Sequence, residues 1–266
     1  MSNSEYKITD ISKSYLVNGM KHTVLNDITL NINSKDITVI LGRSGCGKTT
    51  LLRIIAGLEE GDSGNIQFIK KGITCKAKIG FVFQESRLMP WLNVGENILF
   101  HDNENNIFSG VFRKFYLNKE KAYKKSSNDL DFYLKMMNLE KFKNLYPNEL
   151  SGGMAQRVSI ARGLSFNPDM LFMDEPFSAL DYFTRKDMQN EVSSIHKATN
   201  KGIIFVTHDI DEALKIGNKI IIFSNYNNKI EEIKIDDYSY NRDLTSSYYI
   251  ELKRKILEII KFWYGT

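Results

Sequence analysis

Apolar positions along the chain fall into three patterns, each predicting a different element. Ile28, Leu30 and Ile32 alternate with Thr29, Asn31 and Asn33, the period of a half-buried antiparallel strand. Ile37 to Leu41 is instead an apolar run, which predicts a strand covered on both faces. Met170–Met173 and Ile203–Val206 repeat that second pattern. Leu51, Leu52, Ile55 and Leu58 recur at helical spacing until Gly61 breaks the run. The section from 85 to 165 is long, polar and mostly helical, and within it 101–128 is rich in Asn, Lys and aromatics without a clean period. That stretch reads as a surface insertion around short helices. Near the end, Leu252, Ile256, Ile259, Ile260 and Trp263 share one helical face, with Lys253, Arg254, Lys255 and Lys261 mostly elsewhere. Such a helix either packs on its own domain or docks on a partner or a membrane surface.

The expected architecture is α/β: a core over 1–84 and 166–235, an inserted helical subdomain over 85–165 and a helical tail over 236–266, forming one domain over 1–266. Composition narrows the picture only a little. A length of 266 residues fits one large α/β domain, and 26% charged residues with 42% hydrophobic ones argues against disorder. No stretch approaches 18 consecutive apolar residues, so no spanning helix is expected. The start, MSNSEYKITD, lacks the basic and apolar regions of a signal peptide. Cys46 and Cys75 make no disulfide framework and suit a reducing cytoplasm. A formal charge of +4 does not point to nucleic acid.

Chemistry enters at the end of the first apolar run. Gly42-Arg43-Ser44-Gly45-Cys46-Gly47-Lys48-Thr49 matches G-x-x-x-x-G-K-[ST], with Thr50 following, between a predicted strand and a predicted helix. Glycines let consecutive backbone N–H groups curl around phosphate oxygens, and the helix N-terminus adds its positive dipole end. Lys48 would reach the β- and γ-phosphates, and the Thr49 hydroxyl would be a Mg²⁺ ligand. ATP or GTP binding follows. Cys46 in this loop is either a redox handle, since helix N-termini lower thiol pKa, or a small residue fitting a crowded turn.

Met170–Met173 runs into Asp174 and Glu175. Neighbouring positions on a strand face opposite ways, so the two acids can divide their work: Asp174 on Mg²⁺, Glu175 on the attacking water. A strand ending in two acids is common by chance; the phosphate loop upstream is what makes catalysis the better reading. His208 closes the strand Ile203–Thr207. A lone histidine is usually structural, but strand ends are where open α/β sheets bind ligands, which favours contact with the γ-phosphate.

Leu150-Ser151-Gly152-Gly153-Met154 opens another helix. Ser151 can cap it, and Met154, Val158 and Ala161 form an apolar stripe. This pentapeptide resembles the signature, usually LSGGQ, of ABC-transporter nucleotide-binding domains. The resemblance implies a P-loop NTPase core with a mixed, mainly parallel sheet, an N-terminal antiparallel β part and an inserted helical signature subdomain. It also implies two copies of the chain sandwiching two ATP molecules, each nucleotide held by one phosphate loop and by Ser151, Gly152 and Gly153 of the other copy. Tyr15 resembles the aromatic that stacks on adenine. Gln84, in Phe81-Val82-Phe83-Gln84-Glu85, resembles the glutamine that senses Mg²⁺ and the attacking water. Ser178-Ala179-Leu180-Asp181 resembles the loop that communicates across the dimer, and Thr207–Ala213 the family's switch histidine with its flank. The likeness covers the whole chain, with Met154 in place of the glutamine and a long 101–128 segment as departures.

Ser86-Arg87-Leu88-Met89-Pro90-Trp91-Leu92-Asn93-Val94, the Met154 variant and the closing helix resemble the ATPases of nitrate/sulfonate/taurine-type importers; pyrimidine-precursor importers share these features. The alternative is that Pro90-Trp91 is simply a tight turn with a buried aromatic. The importer reading implies ATP-driven solute uptake through an integral membrane permease, gripped by the helical subdomain around Gln84–Val94. It further implies an extracytoplasmic substrate-binding protein and a peripheral place on the cytoplasmic face of the membrane. A soluble ABC ATPase in cofactor assembly is the rival. DNA-repair relatives need a long coiled coil between Lys48 and Ser151, and no heptads occur there.

Overall fold

The computed structural model describes residues 4–100, 129–224, 229–237, 239 and 242–264; the expected insertion at 101–128 lies outside the described residues. Two long strands come first, β1 (Ser4–Val17) and β2 (Met20–Asn33). They are joined through Asn18 and Gly19, both at positive φ (51° and 78°), the tight turn whose twist suits a hairpin. Next come β3 (Ile37–Leu41), α1 (Lys48–Ile55), β4 (Ser63–Lys70), β5 (Ile73–Cys75), β6 (Ile79–Val82) and α2 (Val94–Ile98). After helical residues 129–136 the chain forms α3 (Gly152–Ser165), β7 (Met170–Asp174), α4 (Tyr182–Thr199) and β8 (Gly202–Thr207). It ends with α5 (Ile210–Ile216), β9 (Lys219–Ser224), β10 (Lys229–Lys234) and α6 (Ser247–Tyr264).

These elements form two compact units. The first comprises Met1–Ile79, Asp169–Glu175 and Gln189–Thr266; the second comprises Gly80–Pro168 and Pro176–Met188. In the first unit an antiparallel sheet runs in the order β2-β1-β4-β5. The predicted alternation holds in β2, where Ile28, Leu30 and Ile32 are buried. The main sheet of this unit has the order β10-β9-β3-β8-β7. Strands β7, β8, β3 and β9 pair in parallel, and β10 pairs antiparallel with β9 at the edge. The fully buried strands β3, β7 and β8 are the three apolar runs of the sequence, as expected for parallel strands covered on both faces. Each of their large side chains contributes roughly 1.5–3 kcal/mol by leaving water.

One expectation needs correction here, and one choice between two readings is decided. The helix after the phosphate loop stops at Ile55 instead of running through Leu58. Gly57 takes φ +69°, its N–H donates to Ile54 O at 3.0 Å and the Leu58 N–H donates to Arg53 O at 2.9 Å. This paired closure satisfies the last carbonyls with a glycine in left-handed geometry, and it leaves Leu58 58% exposed. The tail helix α6 packs on its own unit: Ile256 and Trp263 are buried, while Lys253 reaches Asp211 at 2.6 Å.

The described part of the second unit is mostly helical. Its core gathers Val94 and Ile98 of α2 with Leu130, Leu134, Met137, Val158 and Leu164. Helix α2 begins with a capping box, in which Asn93 and Glu96 satisfy each other's backbone N–H groups.

Candidate functional site

In the first unit β3 ends at Leu41, and the loop Gly42–Gly47 turns into α1. Gly47 caps that helix at φ +101°, and a Cβ there would lie 2.8 Å from Val24 Cγ1. Only glycine suits both the backbone angle and the space. No acidic residue occupies the first turn of α1 and no side chain caps it, so its N-terminal amides and dipole are directed at whatever anion the loop accepts. Arg43, Ser44 and Gly45 are exposed on the loop, whereas Cys46 and Lys48 are buried. Burial pushes the Cys46 thiol pKa up even beside Lys48, which leaves it a packing residue and removes the redox reading.

Lys48 Nζ donates to Gly42 O at 2.9 Å and to Arg43 O at 3.0 Å, and lies 3.5 Å from Glu175 Oε1. Thr49 Oγ1 donates to Asp174 Oδ1 at 2.7 Å. Asp174 is buried at the end of β7, and burial, more than any other influence, pushes its carboxyl pKa up. A carboxylate so placed is stabilised by a nearby cation.

Glu175 diverges from Asp174, but not by strand alternation. It has left the strand with φ +44°, and its N–H donates to Val206 O at 3.0 Å. That backbone twist, rare outside glycine, turns its carboxylate toward His208, whose Nδ1 lies 3.0 Å from Glu175 Oε2. The His208 side chain is 54% exposed, held at the mouth of the site by the turn after β8. There Thr207 Oγ1 donates to Glu212 at 2.6 Å and accepts from the Asp209 N–H at 3.0 Å. Asp209 caps α5 by accepting from the N–H groups of Asp211 and Glu212. In the sequence Asp209 and Glu212 are only the flank of His208; an acid three residues after an N-cap Asp is the signal that marks them.

Tyr15 lies on β1, its hydroxyl hydrogen-bonded to Glu59 and in reach of Thr50. The ring is therefore tethered next to the phosphate loop with part of its surface open. Glu59 escaped the sequence reading, since an acid on a loop 44 residues from its partner leaves no local pattern.

The second unit carries the remaining candidates. Ser151 caps α3, its Oγ accepting from Met154 N at 3.3 Å, as expected. Ser151 and Gly152 are exposed and Gly153 is buried; a Cβ on Gly153 would sit 2.5 Å from Thr184 Cγ2. Asp181 caps α4 by accepting from the N–H groups of Phe183 and Thr184 at 3.0 and 3.1 Å; a hydrogen bond from the Thr184 side chain, followed by these N–H groups, holds its carboxyl below the usual range. Gln84 is exposed just beyond β6. The structure thus brings Lys48, Thr49, Asp174, Glu175 and His208 together, and separately gathers Ser151–Gly153 with Thr184 beside Asp181.

The ABC transporter family profile matches residues 25–178. The chain is 38% identical over 256 residues to an uncharacterised ABC transporter ATP-binding protein of Methanocaldococcus jannaschii, covering 96% of this chain and 91% of that protein. It is also 38% identical over 259 residues to the aliphatic sulfonates import ATP-binding protein SsuB of Bacillus cereus, covering 97% and 96%. Among solved structures, a dimeric ATP-binding cassette in a post-hydrolysis state with ADP and phosphate superposes with a TM-score of 0.66 at 31% identity, over 86% of this chain and 98% of that one. Matched along nearly its whole length in sequence and in fold, the chain belongs to the ABC transporter family and is an ATP-binding, ATP-hydrolysing subunit powering solute import.

Proposed function

We propose that this subunit drives uptake of an aliphatic sulfonate or a related small anion, as the names of its import relatives suggest. It would sit peripherally on the cytoplasmic face of the membrane, bound to an integral permease served by an extracytoplasmic binding protein. No described helix is long and apolar enough to cross a membrane, consistent with a separate permease.

The observation that carries the hydrolytic part is the cluster at the ends of β3, β7 and β8. The Thr49 hydroxyl 2.7 Å from the buried Asp174 carboxylate is a pair of hard oxygen donors suited to Mg²⁺, whose charge would offset that of the phosphate oxygens. Backbone amides of Gly42–Thr50 and the Lys48 ammonium cradle the phosphates, and Tyr15 stacks on the base. Glu175 takes the proton of the attacking water, and His208, 3.0 Å away, orients that carboxylate and meets the γ-phosphate. Gln84 would sense the ion and the water. A second copy of the chain supplies Ser151, Gly152 and Gly153 to the γ-phosphate, with Asp181 in the loop that signals across. Positioning and electrostatics supply most of the rate.

Glu175→Gln keeps the shape and removes the base. The expected protein binds ATP, dimerises stably and loses steady-state turnover by at least about a hundredfold, measured as phosphate release beside light scattering. Near-native phosphate release would remove Glu175 from this role.

A further inference from the structure

One short loop of the first unit grips four consecutive residues of β1, and the grip ends on Tyr15. Helix α1 stops at Ile55, and after the left-handed turn at Gly57 residues 59–62 reach β1. The Asp62 N–H donates to Ser12 O at 2.8 Å, and Asp62 Oδ2 accepts from the Ser14 N–H at 2.7 Å. Lys13 Nζ donates to Glu60 O at 2.7 Å and lies 3.2 Å from Asp62 Oδ1. The Tyr15 hydroxyl donates to Glu59 Oε1. The pairing of β1 with β2 shifts register between Ile8 and Ser14, so the ladder alone does not aim this stretch. Irregular pairing of that kind re-directs side chains beside sites, and the loop supplies the partners that the ladder omits.

Two of these contacts decide what the Tyr15 ring can do. The Lys13 ammonium rests over the ring, 5.6 Å from its centre, within the range of a cation on an aromatic face. Glu60 and Asp62 hold Lys13 in that place. One face of the ring is thus covered from within the chain, and the opposite face is left for a ligand. The hydroxyl is pinned at the ring's outer edge. Partial burial, followed by Glu59, raises its pKa, so the phenol keeps its proton and remains the donor. Without that bond a side chain 37% exposed would exchange among rotamers.

We infer that Glu59 is a positioning residue for nucleotide binding: through the Tyr15 hydroxyl it sets the ring, backed by Lys13, in the attitude that receives the base before ATP arrives. The inference rests on the reading of Tyr15 as the base platform. Helix α1 makes the placement useful, since it carries Lys48 and Thr49 in its first turn and leads into the Glu59 loop. Thr50, next to Thr49, also has its side chain in reach of the Tyr15 hydroxyl. The spacing between phosphate cradle and base platform is then set by one short helix. Fixing a side chain in advance spares its entropy at binding, worth roughly three- to tenfold in affinity. That gain belongs to the base and not to the phosphates.

The test compares, by calorimetric titration of the full chain, MgATP with magnesium tripolyphosphate, which carries phosphates but no base. Glu59→Ala is expected to bind MgATP about fivefold more weakly, and the tripolyphosphate within about twofold of wild type. Glu59→Gln, which keeps a carbonyl acceptor for the phenol, recovers part of the loss. Tyr15→Phe, lacking the hydroxyl but not the ring, matches Glu59→Ala, and the double variant is no weaker than either. An unchanged MgATP affinity in Glu59→Ala overturns the inference. An equal loss for both ligands also overturns it, because the phosphate loop itself is then disturbed. So does additivity in the double variant, which would mean that Glu59 acts by another route than the hydroxyl. If Glu59→Ala does not fold, Tyr15→Phe carries the decision: MgATP affinity equal to wild type then counts against the tether. Tyr15→Ala that binds MgATP as wild type does marks failure of the base-platform reading, a separate result.

Discussion

At the scale of single residues, the site is built on groups made costly to themselves. Asp174 is buried with its carboxyl pKa pushed up, and Glu175 is held at φ +44°, a backbone strain of roughly 1–3 kcal/mol that persists only when the surroundings enforce it. The Thr49 hydroxyl, first among the groups that oppose burial at Asp174, offsets part of that cost. Thr49→Val removes one donor of the Thr49–Asp174 pair with little change in volume. The expected outcome is a roughly tenfold weaker affinity for ATP in Mg²⁺ and little change in excess chelator, checked by fluorescent-nucleotide titration under both conditions. The geometry of Glu175 was not legible in the sequence. Strand alternation does not account for the direction of the Glu175 carboxylate, since its positive φ goes with a tertiary partner, Val206 O, and leaves no local pattern.

At the scale of elements, agreement followed the physical source of each signal. Strands β3, β7 and β8 were readable because two-sided burial demands an apolar run. The capped start of α3 was readable because Ser151 meets a need intrinsic to any helix N-terminus. Strands β4 and β5 carry mostly exposed or half-exposed positions, so their pairing partner and not their own pattern makes them strands. The tail shows a further case. Tyr249 on α6 donates its hydroxyl to Asp237 Oδ2 at 2.7 Å, and that bond, followed by one from Ser239, holds the Asp237 carboxyl below its usual range. A depressed folded-state pKa means the stabilisation is present above the unfolded value of about 4 and is lost as pH falls through the lower, folded one. Tyr249→Phe is accordingly expected to cost about 1 kcal/mol at neutral pH. The difference between the two melting temperatures narrows toward zero as pH is lowered below about 4, a trend that calorimetry across pH would check.

At the scale of the whole molecule, among the described residues Gly47 starts α1 and Ser151 starts α3 in two different compact units, and each helix start is proposed to meet an anion. One chain needs only one phosphate cradle, and the proposed second user is the nucleotide of another copy. Ser151→Arg places a long cation on the exposed start of α3. It is expected to leave ATP binding by the monomer within about twofold and to abolish ATP-dependent dimerisation, giving a single monomer mass by size-exclusion light scattering; persistent dimers would count against a shared site.

The sequence by itself determined the parallel core, the phosphate loop with Lys48 and Thr49, the acids at Asp174 and Glu175, and the signature helix. Each of these rests on short-range requirements: a periodicity, a glycine at a forced angle, a cap, a motif of fixed spacing. Tertiary structure alone decided which of them act together. It joined Thr49 to Asp174 across 125 positions, swung Glu175 toward His208, and tethered Tyr15 through Glu59. Those links depend on which backbone groups are left without partners once the strands and helices have packed, and that accounting closes only in three dimensions.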